Sequence, residues 1–281
     1  MHYFIAVSWF LLSLAISSIN DIIARYITIT NFTSLETSFY RFLFGTISLI
    51  PLILFYGLKS IKTSHIRLHL LRGILLAIAI YLWIYGLKSS QVAIATIISF
   101  TIPIFVLILA PIILKESIPL KLWIVTFISL VGIFIIIYPY QINFTHNSYL
   151  FVIAAIFFAV LDVINKKYIY KETMLPMLFY SSLFTTIILF IPLLLSNLTM
   201  PTIKGIPYFI ILGIGINFIL FCILKAFTIV KASILAPLRY IELIFSISLG
   251  YLFFNDIPSY NMLIGALIII PTSLYIILKF K

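Results

Sequence analysis

The chain has 281 residues, 64% hydrophobic and 9% charged, with a mean hydropathy of +1.26. Soluble domains are near half apolar and a quarter charged, so a water-soluble globule is excluded and an all-α integral membrane protein is expected. The net charge of +11 would suit a nucleic-acid partner, but the basic residues stand between apolar stretches, where the positive-inside rule puts them, so none is expected.

Ten apolar stretches follow one another, each near the length that crosses a bilayer. The first, Tyr3–Ala24, has no basic run before it and no A-x-A cleavage site, so it reads as a retained span and not a signal peptide. It carries Asp21. The second, Thr33–Tyr56, holds Glu36 and Arg41, and the third, His69–Leu87, holds Tyr81, Trp83 and Tyr85. Val92–Leu114 and Leu120–Tyr138 complete the first five. Tyr149–Lys166 carries Asp162, and Leu175–Leu195 follows. Ile206–Lys225 carries Asn217 beside Gly213 and Gly215, and also Cys222, the single cysteine, so no intramolecular disulfide is possible. Ala232–Phe254 carries Pro237, Arg239 and Glu242, and Ser259–Leu278 is the tenth. Pro51, Pro103, Pro111, Pro192, Pro237 and Pro271 fall inside spans and predict kinks. The gaps are too short for a soluble catalytic domain.

The second half repeats the first about 140 residues later. Gln91 to Glu116 aligns without a gap on Lys231 to Asp256, and Asp21 falls near Asp162. Five spans is an odd number, so the halves 1–140 and 141–281 must cross in opposite senses. The expected fold is ten transmembrane helices as two inverted five-helix repeats. With the N-terminus inside, thirteen basic residues lie in inner loops, Arg72 among them, against Arg25, Lys88 and Lys204 outside. That bias predicts cytoplasmic termini and outward loops near Asn143 and Lys204.

Ionisable groups in mid-span are the sharpest functional signals, because each is costly to insert. Arg239 and Glu242 have i,i+3 spacing and share a helix face; the competing reading is a mutual salt bridge that only fixes packing. Asp21 and Asp162 are candidates for substrate or coupling contacts, against intrahelical pairs with Arg25 and Lys166. Arg41 suits a carboxylate through its forked donors, against pairing with Glu36 or Glu242. Trp83 lies near mid-span, where a ring stacks on a purine or holds a cation, against plain packing; Tyr85 is grouped with it. Asn217 is a candidate for substrate hydrogen bonding, against interhelical packing. His65 and His69 lie in a basic turn with no acidic partner in sequence, so no metal site is expected.

The run Arg72-Gly73, Tyr85-Gly86-Leu87-Lys88, Pro103-Ile104-Phe105, Lys115-Glu116 and Gly132 resembles the EamA half-unit of the drug/metabolite transporter superfamily. The second copy keeps Ala226-Phe227, Pro237, Glu242-Leu243-Ile244-Phe245 and Asp256, and departs at Leu243, where a proline is common. The resemblance covers the whole chain. It implies a carrier and not an enzyme, with no cofactor, whose partners are a small-molecule metabolite and the lipid bilayer. Within the superfamily the chain is most similar to members that take up S-adenosylmethionine in obligate intracellular bacteria, which implies that cargo and a bacterial inner membrane. Abundant Ile, Phe, Tyr, Asn and Lys, as in an AT-rich genome, agree with that source. An exporter of amino acids or amines is the alternative within the same fold.

Overall fold

The computed structural model describes residues 2–30, 32–89, 95, 98–137, 148–195, 205–255, 257 and 260–279. Asn143, Lys204, Asp256 and most of the segment that opens the first aligned repeat lie outside the described residues. Every regular element among those described is helical. Helix α1 is His2–Thr30 and α2 is Ser34–Tyr56; a short 3-10 turn, Leu58–Ile61, leads to α3, Ile66–Ser89. Then come α4 (Ile102–Leu114), α5 (Leu120–Ile137), α6 (Ser148–Tyr168), α7 (Met174–Leu194) and α8 (Ile206–Ile229). The ninth span is broken into α9 (Ala232–Leu235), a 3-10 segment (Ala236–Ile241) and α10 (Glu242–Phe254), and α11 is Tyr260–Lys279.

Among the described residues, seven stretches are long and apolar enough to cross a membrane, and three shorter apolar helices accompany them. Large side chains such as Leu54, Phe55, Ile112 and Leu267 point outward, more than two-thirds exposed. Such a surface needs lipid around it. The chain is a multi-pass membrane protein.

Breaks in the helices coincide with the in-span prolines only in part. Pro51, Pro111, Pro192 and Pro271 sit inside uninterrupted helices. The breaks lie elsewhere. A turn at Phe100–Thr101 precedes Pro103 at the start of α4, and the 3-10 segment contains Pro237. With a shift of 140 residues, position 100 falls on 240. The two breaks therefore occupy corresponding places in the two halves.

Packing follows the same shift. Helix α1 packs on α8 and α6 on α3; α2 packs on α8 and α7 on α3; α6 packs on α4 and α1 on α10. Two pairs map onto themselves, α2 with α7 and α5 with α11. Thr46 and Thr186, 140 residues apart, meet at 3.4 Å in the first of these. Two close crossings also match. A Cβ on Gly213 would lie 2.4 Å from the Gly45 nitrogen of α2, and one on Gly73 would lie 2.4 Å from Phe184 Cβ of α7. Lipid offers no hydrophobic drive to join helices, so close backbone approach at small residues supplies much of the association.

Two charged side chains cap neighbouring helix ends at one face. Glu116 accepts from the Ala232 and Ser233 nitrogens and the Ser233 hydroxyl at the start of α9. Lys166 donates to the Phe227 and Val230 carbonyls at the end of α8. Lys166 is thus spent on a helix terminus and not on Asp162.

The glycine crossings are testable. Gly213→Ala and Gly73→Ala should each cost about 1–3 kcal/mol by overpacking, whereas Gly45→Ala, whose added carbon meets nothing closer than 3.4 Å, should stay near wild type. Thermal unfolding in detergent measures all three.

Candidate functional site

A cavity of about 140 Å3 lies among α1, α2, α3, α6, α7, α8 and the break in the ninth span. That holds roughly ten waters, or about 300 Å3 of liquid, the lower end of small-molecule sites. Its charged lining is Asp21, Arg41, Arg72, Asp162, Arg239 and Glu242, with Ser17, Trp83, Asn165, Ser182 and Asn217 among the other groups.

Seven of the eight residues singled out from the sequence line this space. The exception is Tyr85, which is 44% exposed and packs on Tyr81. Alternate residues on a helix point about 200° apart, so Trp83 and Tyr85 cannot both face inward. Tyr85 leaves the candidate site.

The 3-10 segment brings Arg239 toward α6, and its partner is Asp162 at 2.5 Å, not Glu242. The competing reading, an Arg239–Glu242 bridge, is not what forms; the guanidinium makes an interhelical pair instead. Glu242, 6% exposed, instead takes a hydrogen bond from Ser17 of α1. Asp21, 5% exposed, accepts from Trp83 Nε1 at 3.1 Å. Trp83 is wedged edge-to-face between Phe151 and Phe158, which fixes its ring. Glu36 closes a capping box with Thr33 at the start of α2. Arg41, 3% exposed, faces Asp21, and its Nε and Nη1 make no hydrogen bond. A buried guanidinium with two idle donors is poised for an acceptor that arrives with a ligand.

Both donors of Asn217 and its amide oxygen are engaged by protein groups. Asn217 accepts from Ser182 at 2.9 Å and donates to the Gly45 carbonyl and to Ser48. This side chain ties α8 to α2 and α7, so the interhelical reading holds for it although it borders the cavity.

Two features escaped the sequence. Arg72, counted from the sequence as a loop charge, is buried in α3 at 1% exposure and lines the cavity. It donates through Nε to Asn165 Oδ1 at 2.9 Å and through Nη1 to His69 Nδ1 and the Met177 carbonyl. The histidines also have the acidic partner that the sequence does not show nearby. Glu172, from the α6–α7 connection, meets Thr63 at 2.7 Å, His65 Nδ1 at 2.6 Å and His69 Nε2 at 3.8 Å. Burial pushes the Glu172 carboxyl up, but donation from Thr63 and His65 and the nearby imidazoles outweigh it and hold the group below its ordinary range.

The family model described as the EamA-like transporter family matches residues 4–138 and again 148–278. The chain belongs to that family. The protein is 44% identical to a Rickettsia bellii protein named S-adenosylmethionine uptake transporter, over 99% of this chain and 95% of that one. It is 42% identical to a protein of the same name from Rickettsia conorii, over 99% and 94%. A solved crystal structure, 13% identical, matches with a TM-score of 0.76 over 97% of this chain and 96% of that one, which speaks to the fold alone.

Two tests follow from this geometry. Asp162→Asn strands Arg239 in an apolar site and should cost about 3 kcal/mol, the low end for a broken buried pair because the cavity supplies water. The double change Asp162→Leu/Arg239→Leu should restore much of that loss in detergent melts. Glu172 has a lowered native pKa, so its contribution is full above its ordinary value of 4.5 and fades as pH falls through the native value. The melting difference between wild type and Glu172→Gln should therefore be largest near neutral pH and shrink towards pH 4.

Proposed function

We propose that this chain carries S-adenosylmethionine into the cell across the bacterial inner membrane by alternating access, in exchange for S-adenosylhomocysteine. The observation that carries the cargo is the full-length identity to proteins of that name. The cavity chemistry suits it. The cargo has a sulfonium, an amino group, a carboxylate and an adenine. Glu242 and Asp21 offer carboxylates to the cationic groups, Arg41 offers its idle fork to the carboxylate, and Trp83 with Phe158 offers rings to the purine. Arg239 and Asp162 act as a pair that holds the broken span open beside the cargo.

Ten spans in two inverted five-helix repeats fit this work, with the site between the repeats. The twice-matching family model, the paired breaks near 100 and 240, and the exchange of helix contacts on a 140-residue shift support that reading. The basic loops support cytoplasmic termini. Cysteines placed at Lys59 and Lys88 on a Cys222→Ala background test it in intact cells. An impermeant thiol reagent should label position 88 and spare 59; the reverse pattern defeats the orientation.

Uptake into proteoliposomes tests the cargo. Labelled S-adenosylmethionine should enter faster when vesicles hold S-adenosylhomocysteine, and an inside-negative potential should speed it further. Methionine or adenosine alone should compete weakly, since each fills part of the cavity. Equal inhibition by unrelated amino acids, with no effect of preloading, favours the amino-acid exporter. Glu242→Gln should weaken uptake about 10–100-fold, as expected for a lost charged contact, with melting near that of wild type.

A further inference from the structure

We propose that Arg72 is a second carboxylate-binding residue of the transport cavity, serving the face opposite to the one served by Arg41; this rests on the reading of a carboxylate-bearing cargo. The two guanidiniums stand at different depths. Arg41 is seven residues from the Ser34 end of α2, and Arg72 is six residues from the Ile66 end of α3. Helix α3 starts at the face where α2 finishes, so at 1.5 Å per residue the two lie roughly 15 Å apart in depth. Both line the same cavity.

The surroundings of Arg72 are built for a mobile counter-ion. A fully buried cation is costly unless it is paired. Yet the groups it bonds are neutral: an amide oxygen, a backbone carbonyl and an imidazole nitrogen. Arginine can only donate, so His69 Nδ1 must accept, and the ring proton of neutral His69 sits on Nε2, toward Glu172. The nearest fixed carboxylate on that side is therefore separated from Arg72 by a whole imidazole ring. These contacts occupy Nε and Nη1 and fix the plane of the guanidinium. Nη2 takes part in none of these three contacts. The arrangement holds a rigid donor at the cavity edge and leaves its charge to be answered by cargo. With one carboxylate on the cargo and two such donors, Arg41 holds it in the cavity open to one face and Arg72 holds it in the cavity open to the other.

Sided transport tests this. Half-saturation is measured at each face of oriented proteoliposomes for S-adenosylmethionine and for its decarboxylated analogue. Arg72→Gln should raise half-saturation for the carboxylated cargo about tenfold or more at the face where α3 begins, and leave the analogue unchanged there. Arg41→Gln should do the same at the opposite face. Arg72→Lys keeps the charge without the fork and should show a several-fold loss confined to the carboxylated cargo; it carries the test if the Gln variant does not fold. Equal shifts for both compounds, or none for either, would make Arg72 a packing bracket and overturn the proposal. If wild type carries neither compound, the cargo reading fails and this inference with it; if wild type carries both and only Arg41→Gln separates them, the cargo reading stands and the role of Arg72 falls.

Discussion

The ion pair between Asp162 and Arg239 sits where the ninth span gives up its α-helical hydrogen bonds. Pro237 has no N–H to donate, and residues 236–241 tighten into a 3-10 segment. In lipid such a stretch survives only where it borders a cavity or is covered by protein. Asp162 of α6 supplies that cover and turns Arg239 inward. With Arg239 anchored on α6, Glu242 is left to Ser17 and the cavity stays open between the helices. The pair is thus a condition of the site as well as a lining of it.

The corresponding place in the other half is in a different state. Asp21 falls within one residue of Asp162 when the chain is shifted, but its partner is Trp83, and Arg41 keeps two idle donors. One aspartate is closed on a guanidinium, and the other is held off one by an indole. A symmetric pattern of helix contacts therefore encloses an asymmetric pattern of charges. The asymmetry is local, because the glycine crossings and the Thr46–Thr186 contact on the packing axis obey the shift closely. Small residues set the frame, and the charged side chains differ within it.

Much of this was legible in the sequence, and the limits have physical causes. Charge in an apolar span is expensive, so Asp21, Arg41, Asp162, Arg239 and Glu242 stood out, and all five line the cavity. Their partners were not legible. Spacing along one helix favours Arg239 with Glu242, but packing on α6 brings Asp162 to the guanidinium and decides the pair. Arg72 was hidden by position. It lies close to the start of α3, where a basic residue ordinarily faces headgroups, and only the packing of α6 and α7 around it buries the guanidinium. Glu172 answers histidines more than 100 residues away in sequence, and only the meeting of two inter-helix connections reveals that. Trp83 and Tyr85 show the converse: period-2 spacing forbids a shared face, and depth alone could not say which ring turns inward.

The lining as a whole also bears on energetics. It carries three carboxylates and three guanidiniums, so its formal charge is zero with all six ionised. A neutral lining that reorients around its cargo moves no net charge of its own across the bilayer. Whatever charge crosses in a cycle is then the difference between what enters and what leaves. For a cation entering against a neutral product that difference is one elementary charge, which the membrane potential favours by about 2.3 kcal/mol per 100 mV. Removing the charge of Arg72 or Glu242 would disturb this balance as well as a contact. Neutralising either side chain should therefore change how steeply transport responds to voltage, whereas exchanging Asn217, which only joins helices, should not.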